Sequence, residues 1–119
     1  MSDFNDLVAD VRAFSEERGW PAVQSPKNLA MAITGEAGEL AAELQWLGSE
    51  ESRTAVRDDD SLRERVAMEM ADVVIYPARL ADVAGVDLMD AARRKLARNH
   101  ERFPVGTSLR LRSDRPAAP

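Results

Sequence analysis

The sequence predicts an all-α protein, a bundle of about four helices, and three observations predict it. Apolar residues recur at three- and four-residue spacing through most of the chain, and no stretch alternates as a strand would. Aromatics make up 5% of the residues while Ala, Leu, Val and Met are plentiful, a balance that suits helix packing better than sheet. Glycine and proline fall where the periodic stretches end, at Gly19, Gly48, Gly85 and Pro104.

The first helix is predicted from Asp3 to Arg18, with Phe4, Leu7, Val8, Val11 and Phe14 on one face and Gly19 as its stop. A linker, WPAVQ, leads to Ser25 as N-cap and Pro26 at the first helical position, opening a second helix to Leu47. The segment GSEESRTAVRDDD is polar and reads as a loop. Ser61 with Glu64 has the spacing of a capping box, which starts a third helix running to Ala84. Pro77 lies inside it and is expected to kink it, because it removes one backbone hydrogen bond and crowds the carbonyl of Val73. Asp87 is the expected cap of a fourth helix that ends near Arg102. Residues 1–104 are read as one domain, and 105–119, poor in apolar residues and carrying late prolines, as a disordered or loosely docked tail.

Composition narrows the function classes. With no cysteine, neither a disulfide framework nor a thiolate metal site is possible. The net charge of -5 opposes nucleic-acid binding, which needs Lys and Arg to neutralise phosphates. An acidic, amphipathic N-terminus is no signal peptide, and no apolar run is long enough to span a bilayer. A soluble, cytoplasmic protein is expected, with no membrane or nucleic-acid partner.

The informative feature is a set of carboxylates placed inside apolar seams. The second helix has a seam of Leu29, Ile33, Glu36, Leu40, Glu43 and Leu47; the third has Leu62, Val66, Glu69, Val73, Tyr76, Leu80 and Val83. Three residues after each seam acid comes another, Glu39 or Asp72, turned back toward the same side of its helix. If the two helices form an antiparallel hairpin, the pairs are level. Glu36 and Glu39, counted back from Leu47, are as far from the loop as Asp72 and Glu69 counted forward from Ser61. At about 1.5 Å per residue both pairs lie roughly 12 to 16 Å from it.

Carboxylates gathered in a partly apolar groove repel one another and lose hydration, so they protonate or take a partner. No cation occupies the matching seam positions. An all-oxygen donor set without Cys or His suits Mg2+, with Mn2+ as substitute, rather than Zn2+. One such pair on a helix would be read as a solvated face; two pairs, both centred in seams and level, point to a metal site. A di-iron bundle wants Glu-x-x-His on two helices, and the single histidine, His100, follows Ala97 at that spacing and reads as a surface residue.

At these residues the sequence resembles the MazG-like all-α nucleoside triphosphate pyrophosphohydrolases, most closely the dCTP pyrophosphatase branch. The E-x-x-E then E-x-x-D signature matches Glu36, Glu39, Glu69 and Asp72. The words ERGW, PKNLA, GEAGELAAELQW, EMADVVIY and VDL are similar as well, as is a closing Lys95, Asn99, Arg102, Pro104 pattern. The resemblance covers roughly residues 14–104. It implies Mg2+-dependent hydrolysis of a deoxynucleoside triphosphate to monophosphate and pyrophosphate, in a homo-oligomer with sites near subunit contacts; the apolar surface that these helices leave on so short a chain gives the expectation of a homodimer or homotetramer. It also implies metal binding by Glu36, Glu39, Glu69 and Asp72, phosphate contacts by Lys95 and Asn99, and base or sugar contacts by Trp20, Asn28, Trp46 and Tyr76. Val23 and Gln24 stand where the branch commonly has Phe-His, which leaves selectivity for cytosine open. A broader pyrophosphatase for noncanonical nucleotides and a non-catalytic helical assembly module are the competing functions.

The residues themselves fit those roles. Lys95, Asn99 and Arg102 continue one stripe of the fourth helix, although basic residues near a helix end also complement its dipole. Trp20 and Trp46 have faces on which a base can stack, worth about 1 to 3 kcal/mol each in nucleic-acid sites. Tyr76 shares the seam of Glu69, next to Pro77.

Overall fold

The computed structural model describes residues 3–107. Every regular element among them is helical: α1 (Asp3–Glu17), a 3-10 turn (Trp20–Val23), α2 (Pro26–Leu44), α3 (Ser49–Asp58), α4 (Asp60–Ala84) and α5 (Leu88–Arg102). The described residues fall into two compact units, one ending at Leu88 and one beginning at Met89.

In the first unit α4 is the element against which α1, α2 and α3 all pack. The predicted seam holds in the first half of α4, where Leu62 and Val66 are buried; toward its end Val83 is exposed and the buried residues are Ala78, Arg79 and Ala81, off that seam, while α2 buries Leu29. Alanines at 78 and 81 leave little side-chain bulk on that face, which permits close approach of a neighbouring helix. The direction of α2 against α4 follows from its contacts. Glu43 pairs with Arg65 while Glu36 approaches Asp72, so numbers fall on one helix as they rise on the other. The pair is antiparallel.

The helix ends are chemically explicit. Gly19 adopts φ 68° and lets α1 stop and turn sharply into the Trp20–Val23 turn. Ser25 caps α2 as its sequence predicts, its Oγ accepting the Asn28 N–H at 3.1 Å, with Pro26 at the first turn. Gly85, at φ 69°, ends α4 by donating to the carbonyls of Ala81 and Asp82.

Three expectations are corrected. Residues 49–58 form a helix, α3, rather than a loop, so the first unit has four helices and the described chain five. Glu51 reaches back to accept the Gly48 N–H at 3.3 Å, and Glu50 pairs with Arg53 one turn on, which supports a helix with almost no apolar stripe. The cap of α4 is Asp59, whose Oδ1 accepts the Leu62 N–H at 3.0 Å, in place of Ser61. Helix α2 ends at Leu44, three residues early, in a turn that carries Trp46. Pro77 lies within α4, whose helical run is unbroken. No described helix is long and apolar enough to cross a membrane.

In the second unit, α5 carries Lys95 and the exposed end residue His100, and an Asp90–Arg94 pair spans one turn. Beyond it Thr107 donates from its N–H and its hydroxyl to the Pro104 carbonyl. The rest of the expected tail, 108–119, lies outside the described residues.

Candidate active site

The antiparallel pairing of α2 and α4 brings three of the four predicted acids together. Glu36, Glu69 and Asp72 each place a carboxylate oxygen so that the three atoms lie within 4.8 Å of one another. All three are half-buried, whereas Glu39 is exposed at the rim of the cluster. Oε2 of Glu36 and Oε2 of Glu69 are shielded from solvent and have no hydrogen-bond partner among the described residues. A buried carboxylate oxygen without a donor is a costly arrangement, because the water it loses is not replaced.

The electrostatics follow. Glu36 is held above the ordinary carboxylate pKa first by burial, then by the neighbouring charges of Glu39 and Asp72. Glu69 is held above it first by burial, then by its contact with Glu39 and by the charge of Asp72. Glu43, the remaining seam acid, is handled differently: Arg65 Nε donates to its Oε2 at 3.0 Å. It has a protein partner, although its charge still adds to the upward push on Glu69.

The donor set fits a hard divalent cation. Three oxygens converge from two rigid helices, two of those residues carry a buried oxygen lacking a donor, and neither nitrogen nor sulfur is among them. A cation in that volume would satisfy the oxygens and reverse the upward push on both glutamates.

Next to the cluster lies a cavity of about 410 Å³, of a size that suits a nucleoside or similar ligand. Asp72 is in its wall, together with Phe14, Trp20, Gln24, Tyr76 and Arg79. A second cavity of about 230 Å³ shares Trp20, Gln24 and Tyr76 and adds Asn28. Trp20 is fixed by an edge-to-face contact with Phe14, ring centres 5.5 Å apart, and the Arg18 guanidinium stacks 3.6 Å from the Phe14 ring centre. Asn28 uses its side-chain amide to donate to the Val23 carbonyl at 2.9 Å, which ties the 3-10 turn to α2.

Trp20, Asn28 and Tyr76 are therefore brought together beside the acids. Trp46 is not: it is 88% exposed and lines neither cavity, because α2 has already unwound before it. Lys95 and Asn99 stand on α5 in the second unit.

Among the wall residues that the sequence does not mark as such, Phe14 and Arg79 matter most. Phe14 read simply as part of an apolar stripe. Arg79 was overlooked, although its side chain is only 7% exposed. Its Nε donates to Gln24 Oε1 at 2.8 Å and its Nη1 to Asp82 Oδ2 at 2.9 Å, while Arg12 Nε also donates to Asp82 Oδ2 at 2.9 Å. The hydrogen bond from Arg12, reinforced by both guanidinium charges, holds Asp82 below the usual carboxylate range despite its burial. The available signal was an Arg and an Asp three residues apart in an otherwise apolar run, YPARLADVA.

Comparison with known proteins agrees with this architecture. The MazG nucleotide pyrophosphohydrolase domain pattern matches residues 24–107. The dCTP pyrophosphatase 1 of Bos taurus is 40% identical over 110 residues, covering 91% of this chain and 62% of that protein. The dCTP pyrophosphatase 1 of Homo sapiens is 40% identical over 107 residues, covering 88% and 59%. This chain thus spans about three-fifths of the length of the curated relatives it matches. A solved pyrophosphatase from Archaeoglobus fulgidus DSM 4304 superimposes with a TM-score of 0.79 at 33% identity, covering 87% of this chain and 94% of that one. By the matched pattern, the identity and the shared fold, the chain belongs to the MazG nucleotide pyrophosphohydrolase domain family.

Proposed function

We propose that this protein hydrolyses a deoxynucleoside triphosphate of the dCTP class to the monophosphate and pyrophosphate, with Mg2+ as cofactor. The observation that carries the reading is the pair of buried, partnerless oxygens on Glu36 and Glu69, facing Asp72 beside an aromatic-walled cavity. Such a set is built for a cation, and the cavity next to it has the size and stacking surfaces for a nucleoside.

In this scheme Glu36, Glu69 and Asp72 hold the ion, and Glu39 stands beside them. When bound, the ion supplies charge neutralisation on the triphosphate and acidifies the attacking water. Trp20 and Tyr76 flank the base and fix the nucleoside, so that the α-phosphorus meets the acids in one orientation. Glu39, exposed at the rim, accepts the proton of the water as its oxygen bonds to the α-phosphorus. The bond from that phosphorus to the oxygen bridging to the β-phosphate breaks, and pyrophosphate leaves with the electron pair. Lys95 and Asn99 are assigned to phosphate oxygens. A homodimer or homotetramer is the proposed assembly, and no nucleic acid or membrane is required.

The test is pyrophosphate release from a panel of dNTPs and NTPs with Mg2+, with Mn2+ and with chelator. Turnover of deoxycytidine nucleotides that chelator abolishes is the expected result. Metal-independent turnover, or none on any member, removes the reading.

A further inference from the structure

We infer that Arg79 locks Gln24 into a single amide orientation, making Gln24 a donor-only residue that selects nucleobases by the hydrogen-bond acceptor they present. The inference rests on the nucleotide-binding reading above and adds which chemistry of the base is read.

The argument begins with what a guanidinium can do. Arg79 Nε bears one hydrogen and no lone pair available to accept, so the Gln24 atom 2.8 Å from it must be the carbonyl oxygen. The orientation of the amide is thereby fixed by chemistry. Arg79 itself has little freedom: it is buried, and its Nη1 is tied to Asp82, which Arg12 grips from α1. Side chains of α1 and α4 thus bear on one torsion. What remains of Gln24 is its NH2 group, and Gln24 lines both cavities together with Trp20 and Tyr76. Presented to a base held against those rings, that group donates and cannot accept.

A free glutamine reads either edge by turning over; a locked one does not. Among pyrimidines the difference is concrete. Cytosine has an acceptor at N3 and a donor at the 4-amino group, whereas uracil and thymine have a donor at N3 and an acceptor at O4. Whichever of these positions Gln24 meets, a donor-only wall favours one base type and rejects the other.

The test uses the full chain and three variants, Gln24→Glu, Arg79→Met and Arg79→Lys. Affinities for non-hydrolysable dCTP and dUTP analogues are read by calorimetry with Mg2+ present, beside turnover of the natural nucleotides. Gln24→Glu keeps an oxygen for Arg79 and replaces the donor by an acceptor, so the cytosine-to-uracil affinity ratio moves about tenfold against the wild-type preference. Arg79→Met frees the amide, and the ratio collapses toward one; Arg79→Lys still donates to the oxygen and restores it. Asp82 keeps Arg12 in both variants, and thermal melts verify folding. A ratio unmoved in Gln24→Glu, or equal in Arg79→Met and wild type, overturns the lock, as does failure to bind either analogue. Loss of turnover with the ratio still responding counts against the proposed reaction alone.

Discussion

Among the carboxylates of helix α4, the fold treats Glu69 and Asp82 in opposite ways. Asp82 is gripped by Arg12 and Arg79, and its pKa is pushed down. Asp72 joins Glu36 and Glu69 in a cluster where, among the described residues, no cation intervenes, and burial together with like charge pushes the two glutamates up. The chain therefore has the means to neutralise an acid internally, even by burying an arginine to do it. At the cluster it does not use them. That difference separates a carboxylate tied into the fold by hydrogen bonds from a group of carboxylates that could hold a metal ion.

The comparison is broken most severely at the cluster. Glu69→Gln is expected to lower Mg2+-dependent turnover by at least about a hundredfold, since a ligand and its charge are lost together. In the same variant the melting temperature measured in chelator rises, because a buried anion and its repulsions are gone. Activity and stability moving in opposite directions is the signature; a loss of both would make Glu69 a structural acid.

At the other end of the helix the expectation reverses. Asp82→Ala leaves Arg79 buried beside a neutral side chain, and unfolding in urea is expected to show a loss of about 3 kcal/mol. The reference for that figure is a buried pair broken on one side. A loss below about 1 kcal/mol would place the Asp82 hub among exposed ion pairs of little consequence.

The smallest effect is the pH dependence, which sharpens the contrast. For Glu36 and Glu69 the folded-state pKa is raised, so their contribution to stability is complete below the unfolded value and is lost as pH rises through the folded one. Metal-free protein is therefore expected to gain stability at the cluster on mild acidification. In Mg2+ the protection over chelator shrinks in the same window, because protons compete for the ligand oxygens. Asp82 runs the other way: its contribution is present above the unfolded value and is lost only as pH falls through the depressed folded one. Melting curves against pH, with Mg2+ and with chelator, check both, and Glu69→Gln should flatten the first trend without touching the second.

Much of this molecule is legible in its sequence, for reasons that are local. The seams of α2 and α4 are periodic, their caps at Ser25 and Gly85 are chemically typical, and acids interrupting both seams at matched levels announce the cluster. Helix α3 is not legible, because Ala55 and Val56 are nearly its whole apolar content and its support comes from Glu51, Arg53 and packing on α4. The cap of α4 is ambiguous among three successive aspartates and a serine, and only the observed hydrogen bond selects Asp59. Trp46 looks like a base-stacking residue beside the metal word, yet the early end of α2 turns it outward. Arg79 depends on Gln24, 55 positions away, and on Arg12 of another helix. Pairing at such distances leaves no periodic trace.

The partnerless oxygens of Glu36 and Glu69 have a consequence for anyone who would redesign this protein. A search for substitutions that stabilise the empty fold would reach those two positions early, replace them with leucine or glutamine, and return a sturdier helical bundle. Selection for durability alone would thus erase the site, and the persistence of such acids in a variant library is best enforced by screening with divalent cation and nucleotide present.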